Sequence, residues 1–251
     1  METVKVPRNV YAVENEQQLR AYRRFAEEIE PQLEGYLSWL REHFAVRELP
    51  RAIVWTSAEI ATQAISDIPV PAYTNDYRTV MVPELDTWRK IFLRQFDALD
   101  AGDERAAQAM GYYREGMGRN KVLQILGHEF AHHSDWFPDD DRKGGIWFEE
   151  GMVEYISRKY FLTSAEFDEE ERADRLLVEC LTPRYGGHSL EQFGAATYEG
   201  DYASIFFEYW RSFLAVKELV ERFGSVNAVF DRFRQWTQQG GDTTLEAWFK
   251  L

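Results

Sequence analysis

One run of residues has types and spacing that bear directly on chemistry: His128-Glu129-Phe130-Ala131-His132. On an α-helix, residues four apart lie about 40° from each other around the axis, so both imidazoles can reach one ion. Glu129 can swing a carboxylate toward water activated by that ion. Two nitrogen ligands and an adjacent base are parts of a zinc hydrolase. Leu123, Leu126 and Phe130 fall opposite the histidines, and would anchor the helix and turn the imidazoles toward a cavity. His133 points about 100° away from His132 and reads as a neighbour of the site, not a ligand.

A catalytic zinc site needs a third protein ligand and one open position. The next helical run reads Trp147-Phe148-Glu149-Glu150-Gly151-Met152-Val153-Glu154-Tyr155. A His-Glu-x-x-His helix followed by Glu-Gly, with a tyrosine five residues after the glutamate, resembles the aminopeptidase-like branch of the gluzincin metallopeptidases. Seventeen residues separate His132 from Glu150, close to the spacing usual in that branch. The resemblance implies zinc on His128, His132 and Glu150, with Glu129 as general base. It implies Glu154 as an acceptor that orients a ligand histidine. A hydrogen-bond donor for the oxyanion is also implied, with Tyr202, Tyr198 and His188 as candidates. Glu149 reads as a solvent-facing helix residue.

The resemblance spans about residues 70–250, and only 128–155 is specific. The metzincin continuation is missing, because Asp135 and Pro138 stand where glycine and histidine would be required. The thermolysin-type Asn-Glu-x-x-Ser-Asp motif is missing too, as is the Gly-x-Met-Glu-Asn segment by which aminopeptidases hold a substrate amine. A closed, non-catalytic site would need a fourth protein ligand, such as Asp135 or an acid from Asp139–Asp141.

These residues need elements to position them. An extended lead (Val4–Val13) precedes an amphipathic helical pattern over Glu14–Phe44, with Pro31 as a candidate break. Ala52–Trp55 reads as a strand, followed by a helix opening at Ser57. Ile68–Pro83 reads as a hairpin whose second strand, Arg78–Val82, has an accessible edge able to align an extended peptide. Helices are expected at Glu84–Leu99, Glu104–Tyr113, Arg119–Trp136 and Ile146–Tyr160. After an acidic loop at Pro138–Asp141 and the Gly144-Gly145 pair, six acids crowd Glu166–Asp174 and read as a solvated face or loop. A turn is expected at Pro183–Gly187, then helices at Tyr198–Phe223, Val226–Gln238 and Thr243–Phe249. Gly224 and the Gly240-Gly241 pair stand at C-terminal caps. The fold class is α+β: a small mixed sheet with an accessible edge strand packed on a zincin-type active-site helix, then a mostly helical C-terminal half. The parts are residues 1–50 (helical), 51–136 (sheet and active-site helix) and 137–251 (helical, carrying the third ligand).

Composition narrows the class. The 251 residues are 45% hydrophobic and 15% aromatic, enough for a substantial core. A net charge of −14, from 29 basic and 43 acidic residues, disfavours binding to nucleic acid or anionic membrane surfaces. The single cysteine, Cys180, excludes an intramolecular disulfide framework and fits a reducing compartment; it reads as a small core residue, not as a nucleophile paired with His188. No apolar signal or spanning segment is visible, so a cytoplasmic location is expected. The expected function is a zinc-dependent metallopeptidase acting on a peptide or protein. A zinc hydrolase of a non-peptide amide, and a non-catalytic zinc-stabilised binding protein, are the alternatives.

Overall fold

The computed structural model describes residues 5–66, 69–100, 102–137, 145–240 and 243–251. The N-terminal half runs β1 (Arg8–Ala12), α1 (Glu16–His43), β2 (Ala52–Thr56), α2 (Ala58–Ile60) with a π-helical turn at Ala61–Ile65, β3 (Ala72–Thr74) and β4 (Arg78–Met81). Next come α3 (Leu85–Arg94), α4 (Glu104–Gly111) with a second π-helical turn at Tyr112–Gly116, and α5 (Arg119–Ala131). The rest is α6 (Ile146–Phe161), α7 (Ser164–Tyr185), two 3₁₀ turns at Leu190–Gln192 and Ala195–Glu199, α8 (Tyr202–Phe223), α9 (Val226–Gln238) and α10 (Leu245–Phe249). The class is α+β, with one small mixed sheet and a mostly helical C-terminal half. The acidic loop Pro138–Asp141, Gly144 and Gly241 lie outside the described residues. The chain divides into two units: Met1–Trp88 with Gly118–Asp135, and Arg89–Met117 with Trp136–Leu251.

In the first unit the strands lie in the order β1-β2-β4-β3. β1, β2 and β4 are parallel, and β3 returns antiparallel to β4. The hairpin expectation holds, but its second strand is not an edge. β4 pairs with β2 on one side and β3 on the other, and Thr79, Val80 and Met81 are all buried. Among the described residues the edges are β1 and β3.

Pro31 does not interrupt α1. A proline inside a helix costs about 3 kcal/mol. Against it stand Tyr22, Ala26, Ile29, Leu33, Tyr36, Leu37 and Leu40, buried along one face. The large side chains in that set contribute about 1.5–3 kcal/mol each, so packing wins and the helix continues past an exposed proline. Asn15 caps its start by accepting the Gln18 N–H at 2.9 Å. Helix α5 packs against α1, β3 and β4.

In the second unit α6 and α8 approach at backbone contact. A Cβ on Gly151 would lie 2.3 Å from the Ser212 carbonyl oxygen and 2.8 Å from Val216 Cγ2, so only glycine fits there. Phe148 of α6 stacks on Phe233 of α9 at 4.4 Å and on Phe249 of α10 at 5.7 Å between ring centres. Thr163 and Glu166 form a reciprocal capping box at the start of α7. That helix runs through Pro183 to Tyr185, so the expected turn begins later. Helix α8 starts at Tyr202, capped by Asp201, because Tyr198 belongs to the preceding 3₁₀ turn. It ends at Gly224 in the left-handed region, φ 83°.

The acidic run Glu166–Asp174 departs from expectation. Glu170 and Asp174 are fully buried, around Arg158 of α6. The Arg158 guanidinium lies 2.7 Å from Glu154, 3.2 Å from Glu170 and 2.5 Å from Asp174. Tyr112 donates to Glu170 at 2.7 Å and Tyr113 to Asp174 at 3.0 Å. Charge pairing makes these acids interior groups.

Candidate metal centre

Helix α5 is buried from Lys121 through Ala131, including its polar residues. A helix enclosed on all sides has no reason to keep His128 and Glu129 unless they serve a site or pair internally. The helix ends earlier than the expected Trp136. His132 is its C-cap, with helical dihedrals (φ −58°, ψ −23°), so the i, i+4 relation to His128 survives. Local contacts hold this end. Tyr36 donates to the Gly127 carbonyl at 2.9 Å. Ser134 bonds the Phe44 carbonyl, and its backbone bridges to Val46. Ala45, at φ 52°, turns its carbonyl to accept the Asp135 N–H at 3.4 Å.

The two imidazoles meet edge to face, with Nε2 atoms 3.2 Å apart and ring centres 4.9 Å apart. A tetrahedral zinc with bonds of about 2.0–2.1 Å places its ligand atoms about 3.3 Å apart, so this pair matches two corners of such a site. His128, His132 and Glu150 form a group of side chains that could hold a metal ion, each offering one donor atom. Two imidazole nitrogens and one carboxylate oxygen form a donor set suited to zinc, so the residues fit a metal ion.

The other predicted residues fall as follows. Glu129 is buried next to His128. His133 is bonded through Nε2 to Thr74 Oγ1 of β3 at 2.8 Å; Thr74 Oγ1 also contacts Thr79 Oγ1 at 2.9 Å, so this histidine fastens the helix end to the sheet. Burial, and then the neighbouring His132, lower its pKa to about 4. Asp135, a candidate fourth ligand, pairs with Arg47 at 3.2 Å. Asp139–Asp141 lie outside the described residues. Glu149 is half-buried. Glu154 is buried and accepts from Arg158 Nε at 2.7 Å.

Of the oxyanion candidates, His188 Nε2 lies 2.8 Å from Glu208 Oε1. Burial raises the Glu208 pKa, opposed by Arg211 and His188. Tyr202 stacks on Phe206, with the Arg94 guanidinium over its ring at 5.4 Å. Tyr198 bonds the hydroxyl of Tyr209 at 2.7 Å, and Tyr209 donates to Glu150 Oε1 at 3.5 Å. The sequence carries no signal for Tyr209, which sits in the apolar run Ile205–Trp210, where an aromatic residue reads as core. The Cys180 thiol donates to Asp103 at 3.5 Å, and burial raises its pKa, so it has no pairing with His188 that would make it a nucleophile.

Nothing matches this chain among known protein families, curated proteins or solved structures.

Proposed function

We propose that the protein is a zinc-dependent hydrolase of gluzincin type that cleaves peptide bonds. The observation that carries the reading is the His128–His132 pair, with Nε2 atoms at the 3.2 Å spacing of zinc ligands, grouped with Glu150. When bound, zinc supplies Lewis acidity and makes water a nucleophile near neutral pH. His128, His132 and Glu150 would hold the ion. Glu129 takes the proton released as water attacks the scissile carbonyl and delivers it to the departing amine. An extended substrate chain would pair with β3, the edge of the sheet that α5 packs against, because β4 is enclosed.

Among the described residues no helix is long and apolar enough to cross a membrane. We place the protein in the cytoplasm on its single cysteine.

The test is hydrolysis of a quenched fluorescent peptide library by zinc-loaded protein. Glu129→Gln should retain zinc while kcat/KM falls about 10²–10⁴-fold. Undiminished turnover in Glu129→Gln would sink the mechanism.

A further inference from the structure

We infer that Tyr209, backed by Tyr198, is a positioning residue that holds the Glu150 carboxylate in the orientation a metal ion requires. This rests on the reading of Glu150 as a ligand and assigns the groups that set its geometry.

Three elements of the second unit meet at this carboxylate. Glu150 lies on α6, one residue before Gly151. Because Gly151 packs directly on the Ser212 carbonyl, no side chain separates α6 from α8 at that level. Tyr209, three residues before Ser212 on α8, donates its hydroxyl to Glu150 Oε1 at 3.5 Å. The Tyr198 hydroxyl, brought in by the 3₁₀ turn Ala195–Glu199, lies 2.7 Å from that of Tyr209. With Tyr209 donating to Glu150, Tyr198 is the donor in the second bond, and the dipoles run in one direction toward the carboxylate. Phe193 packs edge-on to the Tyr209 ring at 5.3 Å and lies 6.4 Å from the Tyr198 ring, so both phenols have a fixed backing.

The chemistry of the donor matters. A lysine or arginine in this place would orient Glu150 but neutralise the negative charge an ion needs. A phenol directs the carboxylate and leaves its charge intact. Bonding at Oε1 also restricts the side-chain torsions of Glu150. Hydrogen-bond partners of this kind orient ligand side chains, and removing them typically weakens metal binding about 10–100-fold.

The experiment is titration of the metal-free chain with zinc alone, in competition with a chromophoric chelator. It is run on the unmodified protein and on Tyr209→Phe, Tyr198→Phe, the double variant and Glu150→Gln. Thermal melting of each metal-free protein accompanies it. Tyr209→Phe should bind zinc about 10–100-fold more weakly with an unchanged melting temperature. Tyr198→Phe should show a smaller loss, and the double variant should be no weaker than Tyr209→Phe, because Tyr198 acts through Tyr209. If Tyr209→Phe lowers the melting temperature, the smaller loss in a normally melting Tyr198→Phe carries the inference, and unchanged affinity there overturns it. Unmodified affinity in Tyr209→Phe, alongside its loss in Glu150→Gln, overturns the inference and leaves the ligand reading standing. Zinc affinity indifferent to Glu150→Gln, or no zinc binding by the unmodified chain, removes both.

Discussion

At the residue scale, a few polar groups of α5 are kept in the interior. His128 and Glu129 are buried on α5, and the Nε2 atoms of His128 and His132 sit 3.2 Å apart. A spacing this close suits coordination to a common ion. Replacing His128 with alanine removes one of the three proposed ligands. Zinc affinity should then fall by more than the roughly 10–100-fold typical of losing an outer partner, which competition with a chelator would measure. Affinity unchanged in His128→Ala would argue against coordination there. The His-Glu-x-x-His and Glu-Gly runs were readable in the sequence because helical periodicity alone fixes which side chains share a face. Tyr209 was not readable. Its relation to Glu150 depends on the passage of α8 over Gly151, which no local pattern encodes.

At the scale of elements, packing decides where local signals compete. Helix α9 spans Val226–Gln238 as expected, since Ser225 caps its start by accepting the Ala228 N–H and Gly240 follows in the left-handed region. Pro31 does not break α1 because the apolar stripe along the whole helix, not the residues beside the proline, sets the balance. Glu170 and Asp174 are buried by Arg158, which lies on another helix and carries no mark of its partners. Strand β4 was expected at an edge, yet Ala52–Trp55 pairs with it across a long stretch of chain. The Gly151 contact gives a sharp prediction. Gly151→Ala would drive a methyl group into the Ser212 carbonyl, where both sides are helix backbone. Overpacking of this sort costs about 1–3 kcal/mol and occasionally more. Urea unfolding should show a loss of that size, and a variant as stable as the parent would mean that α6 and α8 can separate freely.

At the scale of the whole molecule, stability should depend on pH through the interior phenols. Burial, reinforced by the nearby Glu170 and Asp174 carboxylates, pushes the Tyr112 and Tyr113 hydroxyls well above their ordinary value near 10. The folded chain therefore keeps protons that the unfolded chain releases above pH 10. This stabilisation is complete below pH 10 and declines above it, by up to about 1.4 kcal/mol per pH unit for each phenol. Urea unfolding at pH 8 and 10.5 should show that decline, and it should be shallower in Tyr112→Phe. The same slope in parent and variant would contradict it. The α+β class and most helix positions were legible from periodicity and capping, whereas the interior charge network and the strand order arise from contacts between distant segments. The central claim, that His128, His132 and Glu150 hold zinc, is tested most directly by anomalous diffraction at the zinc edge from crystals of the intact chain. One strong peak is expected about 2.0–2.2 Å from a nitrogen of each histidine and from a Glu150 carboxylate oxygen. Zinc-containing crystals with no peak among these three residues, or a peak on the histidines that leaves Glu150 uncoordinated, would contradict it.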